Sequence, residues 1–138
     1  MDSRGPRASR PARAVAFTSA VALAYGTVVH IAALALGGTD PYPAMPRWLS
    51  VYFISLTVLD PLAAVLLFRR RRAGLVLGCA VLLTDAAANG YANYVLDETA
   101  GFTAGRFGQA LISALALALT VAALQLWTAH ARWQFGHQ

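Results

Sequence analysis

Lysine is absent from this 138-residue chain, and only six residues are acidic. All eleven basic residues are therefore arginine. Charged residues make up 12% of the chain, where a soluble domain carries about a quarter. So few charges cannot cover a surface that faces water, which excludes an ordinary soluble domain. Cysteine occurs once, as Cys79. That excludes an intrachain disulfide and any multi-cysteine zinc site. Cys79 lies inside an apolar stretch and reads as a small buried or lipid-facing residue. The net charge of +5 comes with no nucleic-acid motif and no aromatic-basic surface, so nucleic acid is not an expected partner. Internal repeats and low-complexity linkers are also missing.

What the chain has is apolar sequence, 58% of it. Four apolar segments run over about 14–36, 48–68, 73–94 and 107–128. Each is near the ~20 residues that span a ~30 Å hydrocarbon core. With no water inside a bilayer, each must satisfy its own backbone, and a helix does so. The first follows Arg4, Arg7, Arg10 and Arg13 like a signal peptide. It is too long for a typical signal core, holds Tyr25 and His30, and ends at Gly37-Gly38, so it reads as a retained helix. The expected fold is an all-α, integral membrane four-helix bundle in one domain over 14–128. Tails at 1–13 and 129–138 flank it, and residues 1–12 read as a disordered, surface-seeking basic stretch.

Arginine orients the bundle. The second connection is the run 69–72, all arginine, and Arg132 follows the fourth segment. The other connections read GGTDPYPAMPR at 37–47 and DETAGFTAG at 97–105. The positive-inside rule puts both termini and the 69–72 turn in the cytoplasm, and an even helix count agrees. Tyr42, Trp48, Tyr94 and Phe102 fall near the outer interface, and Trp127 and Trp133 near the inner one, as aromatic anchors. The arginine and alanine bias fits a GC-rich bacterium, so the expected location is a bacterial inner membrane.

The residues that break the apolar pattern carry the functional argument. A charge at a helix centre costs roughly 2.5–3.5 kcal/mol on insertion scales and persists with a partner, a proton or a wet cavity. Asp60 lies midway along the second segment and Asp85 midway along the third. Their helices are antiparallel neighbours across the 69–72 turn, and the aspartates differ in depth by about 6 Å. Pro61 cannot donate to the Thr57 carbonyl, so a bend beside Asp60 is expected. From Thr84 the chain reads TDAAANGYANY. Asp85, Asn89 and Asn93 recur every four residues and share a helix face. This polar stripe is the strongest functional signal; its plain alternative is interhelical hydrogen bonding. Tyr91 lies beside it toward the outer interface.

His30 stands in the outer half of the first helix. Haem ligation needs a second intramembrane histidine, and His130 and His137 lie at the other end. One histidine with two aspartates is not a diagnostic metal set, so no metal or cofactor is expected. Proton exchange or hydrogen bonding to a ligand suits His30 better. The fourth helix offers Gln109, Ser113, Thr120 and Gln125 at scattered depths. Its spacing of Ser113, Leu117, Thr120 and Leu124 reads as a packing stripe.

Four helices, a histidine in the first, Asp60-Pro61-Leu62 in the second and a short basic turn resemble the EXPERA group. That group holds the emopamil-binding sterol isomerases and related four-helix sterol-binding proteins. The resemblance covers most of the chain from His30 onward and implies a lipophilic, sterol-like ligand. It does not carry the isomerases' acids across. One turn after His30 stands Leu34, and near Tyr52 and Ser55 there is no acid.

The residues themselves suggest three readings. The first is an enzyme or binding protein for an isoprenoid or sterol-like molecule, working by isomerisation or cyclisation. A carboxyl in an apolar bundle favours its neutral form and can donate a proton. Asp85 would be the acid and Asp60 its partner, with His30, Asn89, Tyr91 and Asn93 positioning the ligand. The second is an ion, proton or solute transport subunit. The third is a non-catalytic accessory subunit. Membrane lipid is an expected partner in all three, and a homo-oligomer or larger membrane complex is compatible with each.

Overall fold

The computed structural model describes residues 10–99 and 101–135, with side chains up to Trp127 in the last helix. Arg4, Arg7 and His137 lie outside the described residues, as do the side chains of His130, Arg132 and Trp133. The described chain is helical throughout apart from its connections, and no strand occurs among the described residues. The helices are α1 (Arg10–Gly37), α2 (Arg47–Phe68), α3 (Arg72–Tyr91) and α4 (Ala104–Phe135). One turn of π-helix, Ala92–Leu96, extends α3. All four helices are long and apolar enough to cross a membrane.

Chain neighbours pack side by side, and α1 closes the ring against α4. Helices α1 and α3 barely touch. The bundle therefore has two ends. One carries the turn at 69–72 and is called the arginine end below. The other carries the connections at 38–46 and 97–103 and is called the loop end.

The turns follow from local chemistry. Gly38, at φ 59°, ends α1, and its amide donates to the Leu34 carbonyl at 3.1 Å. A left-handed residue there favours glycine. At the arginine end Arg70 takes φ 53°, so the reversal is tight. A Cβ on Gly74 would stand 2.5 Å from the Leu66 carbonyl carbon. Only glycine lets α3 pass so close to the end of α2. Helix α2 runs unbroken through Pro61.

The core toward the arginine end is apolar apart from Ser19. Ala20, Leu23, Ala63, Ala64, Leu67, Leu75, Leu119 and Ala122 are buried there. Outside, Phe17, Val28, Val58, Val76, Leu117 and Leu124 stand exposed. A surface this apolar suits lipid better than water.

Three details differ from the sequence reading. Helix α1 begins at Arg10, so residues 10–12 of the expected disordered tail are helical. Helix α4 continues to Phe135, into the stretch read as a tail. The stripe of Ser113, Leu117, Thr120 and Leu124 is not the packing face. Leu117 and Leu124 are 65% and 76% exposed, while Ala116, Leu119, Ala122 and Leu126 are buried. An all-apolar helix has no hydrophobic contrast to fix its rotation. Small residues let the neighbouring leucines close in, and Ala116 and Ala122 do so here.

Candidate functional site

Polar side chains from three helices and one connection meet between the middle of the bundle and the loop end. Asp60 of α2 is 4% exposed. It faces α1. A Cβ on Gly26 would stand 2.6 Å from its Oδ2, so the missing side chain of Gly26 makes room for the carboxylate. One turn further along α1, His30 Nε2 lies 3.9 Å from the same oxygen. No hydrogen bond reaches the Asp60 carboxylate among the described residues. Its nearest polar partner there is therefore the His30 imidazole.

The connection at 38–46 folds back over His30. Tyr42 Oη lies 2.9 Å from His30 Nδ1. Burial, and then the charge of Asp85, push the Tyr42 phenol above its ordinary value, so it keeps its proton. The contacts are self-consistent in one tautomer. Tyr42 donates to Nδ1, and Nε2–H points toward Asp60. Phe53, 3% exposed, is the hub behind the histidine. Its ring centroid lies 5.9 Å from His30, 5.4 Å from Tyr42 and 5.6 Å from Tyr52.

Asp85 of α3 approaches from the other side. Asn89 Nδ2 donates to its Oδ1 at 2.8 Å and to its carbonyl at 3.1 Å. Asn93 Nδ2 donates in turn to the Asn89 carbonyl at 2.9 Å. The four-residue spacing therefore forms a connected ladder. It continues into the loop end, where Arg106 Nε donates to the Asn93 carbonyl at 3.2 Å. Arg106 also donates to the Thr99 and Gly101 carbonyls and lies 5.1 Å from the Tyr94 ring centroid.

The structure thus brings His30, Asp60, Asp85 and Asn89 into one region. Asp60, however, makes its closest polar approach to α1 and not to Asp85. Asn93 belongs to the ladder at its loop end, where its amide oxygen sits against Gly105. Tyr91 is apart, packed on Trp48 with centroids 5.5 Å apart. These two rings flank a lateral cleft of about 340 Å³ between α2 and α3, lined also by Tyr52, Thr84, Ala87 and Ala88. At its wall Tyr52 Oη donates to Thr84 Oγ1 at 2.9 Å, and Thr84 donates to the Ala80 carbonyl at 2.8 Å. A second cleft, of about 470 Å³, lies at the loop end beside Met45, Leu96 and Asp97. Neither is lined by Asp60, Asp85 or His30.

Sequence reasoning missed Gly26, Tyr42, Tyr52 and Thr84 as parts of this region. Gly26 had a readable signal, since it precedes His30 by four residues and shares its helix face. Tyr42 read as an interfacial anchor, and only the fold of its connection puts it on His30. Gln109, passed over on α4, donates from Nε2 to the Ala86 carbonyl at 2.7 Å and ties α4 to α3. No group of three or more His, Cys, Asp or Glu that could hold a metal occurs among the described residues.

No protein-family model, curated protein or solved structure matches the chain.

Proposed function

We propose that this chain is a multi-pass protein of a bacterial cell membrane that performs acid–base chemistry on a lipophilic small molecule. An isoprenoid or sterol-like skeleton is the substrate class, and isomerisation or cyclisation the reaction. Both termini and the 69–72 turn face the cytoplasm in this reading, by the arginine distribution. The EXPERA-like pattern of the sequence leans the same way.

One observation carries the proposal. Asp60 is buried, lacks a hydrogen bond among the described residues, and has the His30 imidazole 3.9 Å away. A carboxylate serving only to tie helices together would be expected to bond across them, as Gln109 does. One without a hydrogen bond among the described residues and beside an imidazole suits proton transfer. Asp85 would donate a proton to an alkene or epoxide. Asp60 would take one from the neighbouring carbon, and His30 would exchange protons with Asp60. Asn89 would hold Asp85 in place through its 2.8 Å bond.

Transport is the weaker reading for a specific reason. A proton path needs polar groups on both sides of the cluster. Toward the arginine end the core is mainly leucine and alanine, and the buried Ser19 Oγ and Arg72 Nε have no hydrogen-bond partner among the described residues.

The test is turnover in proteoliposomes supplied with isoprenoid alkenes and epoxides, with products resolved by mass spectrometry. Asp85→Asn and Asp60→Asn should each slow conversion by roughly 100-fold or more. Full turnover in both variants would sink the reading. Proton flux across the same vesicles should be absent.

A further inference from the structure

The cleft between α2 and α3 is separate from the carboxyl cluster, yet Tyr52 belongs to both. It lines the cleft, and its ring lies 5.6 Å from Phe53, which backs His30. We infer that this cleft is a lateral binding site for the hydroxyl end of a lipophilic alcohol, with Tyr52 Oη as the acceptor that selects it. The inference deepens the proposed function and rests on it in one respect, that a lipophilic molecule is what reaches the cluster.

The argument begins with hydrogen-bond direction. Thr84 has one hydroxyl proton, and it goes to the Ala80 carbonyl. Its oxygen therefore accepts from Tyr52, whose only proton is committed at 2.9 Å. Neither hydroxyl has a proton left to give. The Tyr52 oxygen still has accepting capacity. A ligand meeting this wall must therefore donate, so an alcohol fits and an ether, ketone or hydrocarbon does not. The ligand hydroxyl would extend the chain from Tyr52 to Thr84 to Ala80, each link polarising the next.

The rest of the cleft fits the remainder of such a molecule. Trp48 and Tyr91 provide aromatic walls, and Ala87 and Ala88 keep the α3 side low. The volume of about 340 Å³ is near the lower end of small-molecule sites. It holds the head and first carbons of a long ligand and leaves the tail in the bilayer. Tyr52 lies four residues into α2 from Trp48, about 6 Å further from the loop end. An alcohol bound here is drawn below the interface to the level where Asp85, next to Thr84, begins the carboxyl cluster.

The test uses the full chain in lipid nanodiscs with both Trp127 and Trp133 changed to Phe, so that Trp48 alone reports. Farnesol, farnesyl methyl ether and farnesene are titrated against its fluorescence. Farnesol should bind roughly tenfold tighter than the ether or the hydrocarbon, the worth of one hydrogen bond. Tyr52→Phe should keep the cleft and remove that preference, bringing farnesol down to the ether. Ala87→Phe, which fills the cleft without adding a second tryptophan, should abolish binding of all three. Equal binding of alcohol and ether, or a preference that survives Tyr52→Phe, overturns the inference. So does a Trp48 signal that none of the three ligands changes. Asp85→Asn and Asp60→Asn separate this site from the chemistry, since neither lines the cleft. Selective binding with no turnover of any substrate leaves the cleft standing and removes the acid–base reading. Aspartate-dependent turnover without alcohol preference at Trp48 does the reverse.

Discussion

Toward the arginine end, the bundle is held by close approach of small and branched apolar residues. Gly74 lets α3 cross the end of α2, and Leu67 and Leu119 close over Gly78, where a Cβ would meet them at 3.0 and 3.3 Å. Toward the loop end, the helices are linked by hydrogen bonds and ring contacts, through His30, Tyr42, Tyr52, Asp85, Asn89 and Arg106. The contrast separates two kinds of cohesion. In a bilayer, lipid tails are as apolar as leucine, so apolar association gains mainly from packing. The packed half therefore depends on fit, and the polar half on keeping its groups paired. A carboxylate such as Asp60, held only by a 3.9 Å approach to His30, stands out between the two halves as it would not in water.

The largest break in that comparison should come from the packed half. Leu119 is fully buried, and Leu119→Ala leaves a void between α3 and α4. The expected loss is about 2 kcal/mol, the low end for buried leucines in soluble proteins. The unfolded reference leaves the side chain in lipid, so the transfer part of the cost shrinks and the packing part remains. Unfolding in mixed micelles monitored by circular dichroism checks the value. Binding at the α2–α3 cleft should survive once the variant is folded. An unchanged stability would mean that the packed half is held by something other than fit.

The helices and their ends at the connections were legible in the sequence because proline, glycine and arginine punctuate them, whereas α1 and α4 run on past the segments read, to Arg10 and Phe135. The expected second segment, 48–68, differs from α2 by one residue, since Pro46 and the 69–72 run bound it. Rotation about each axis was not legible where a helix is apolar all round, as the stripe of Leu117 and Leu124 shows. It was legible where polar residues mark a face, and Asp85, Asn89 and Asn93 do form a ladder. The partner of Asp60 was not legible. Depth along antiparallel helices pointed to Asp85, whereas the room for the carboxylate is on α1, created by the side chain that Gly26 lacks. The π-turn of Ala92–Leu96 left no signal in the residue pattern either.

The Gly26 contact sharpens the comparison with a smaller effect. In Gly26→Ala the new Cβ would meet the Asp60 carboxylate, and the carboxylate must swing away because it is the movable partner. Alanine also suits a helix better than glycine by about 1 kcal/mol, which offsets the crowding. Stability should change by less than about 1 kcal/mol in either direction. Conversion of a lipophilic substrate should fall by roughly tenfold or more, because a displaced base loses its alignment. A variant that is unfolded, or that turns over normally, would show that the Asp60–Gly26 contact does not position the carboxylate.

The smallest effect tests whether depth governs the value of a polar contact. Asp97, beyond the α3 span, accepts from the Thr99 amide at 2.9 Å and from its hydroxyl at 2.7 Å. These bonds, hydroxyl first, hold the carboxyl below its ordinary 3.8. Because the folded value is the lower one, any stabilisation is present above pH ~4 and is lost as pH falls through the folded value. The carboxyl lies half-exposed in the connection beyond the span, so water replaces the lost bonds and the bundle should not notice. The Thr99 amide resonance in micelles should titrate with a midpoint below 3.8 and become flat in Asp97→Asn, with unfolding unchanged. If Asp97→Asn weakened the whole bundle, the connection at 97–103 would be part of what holds α3 to α4. Cohesion at the loop end would then extend past the lipid, and pairing inside the membrane would no longer account for it alone.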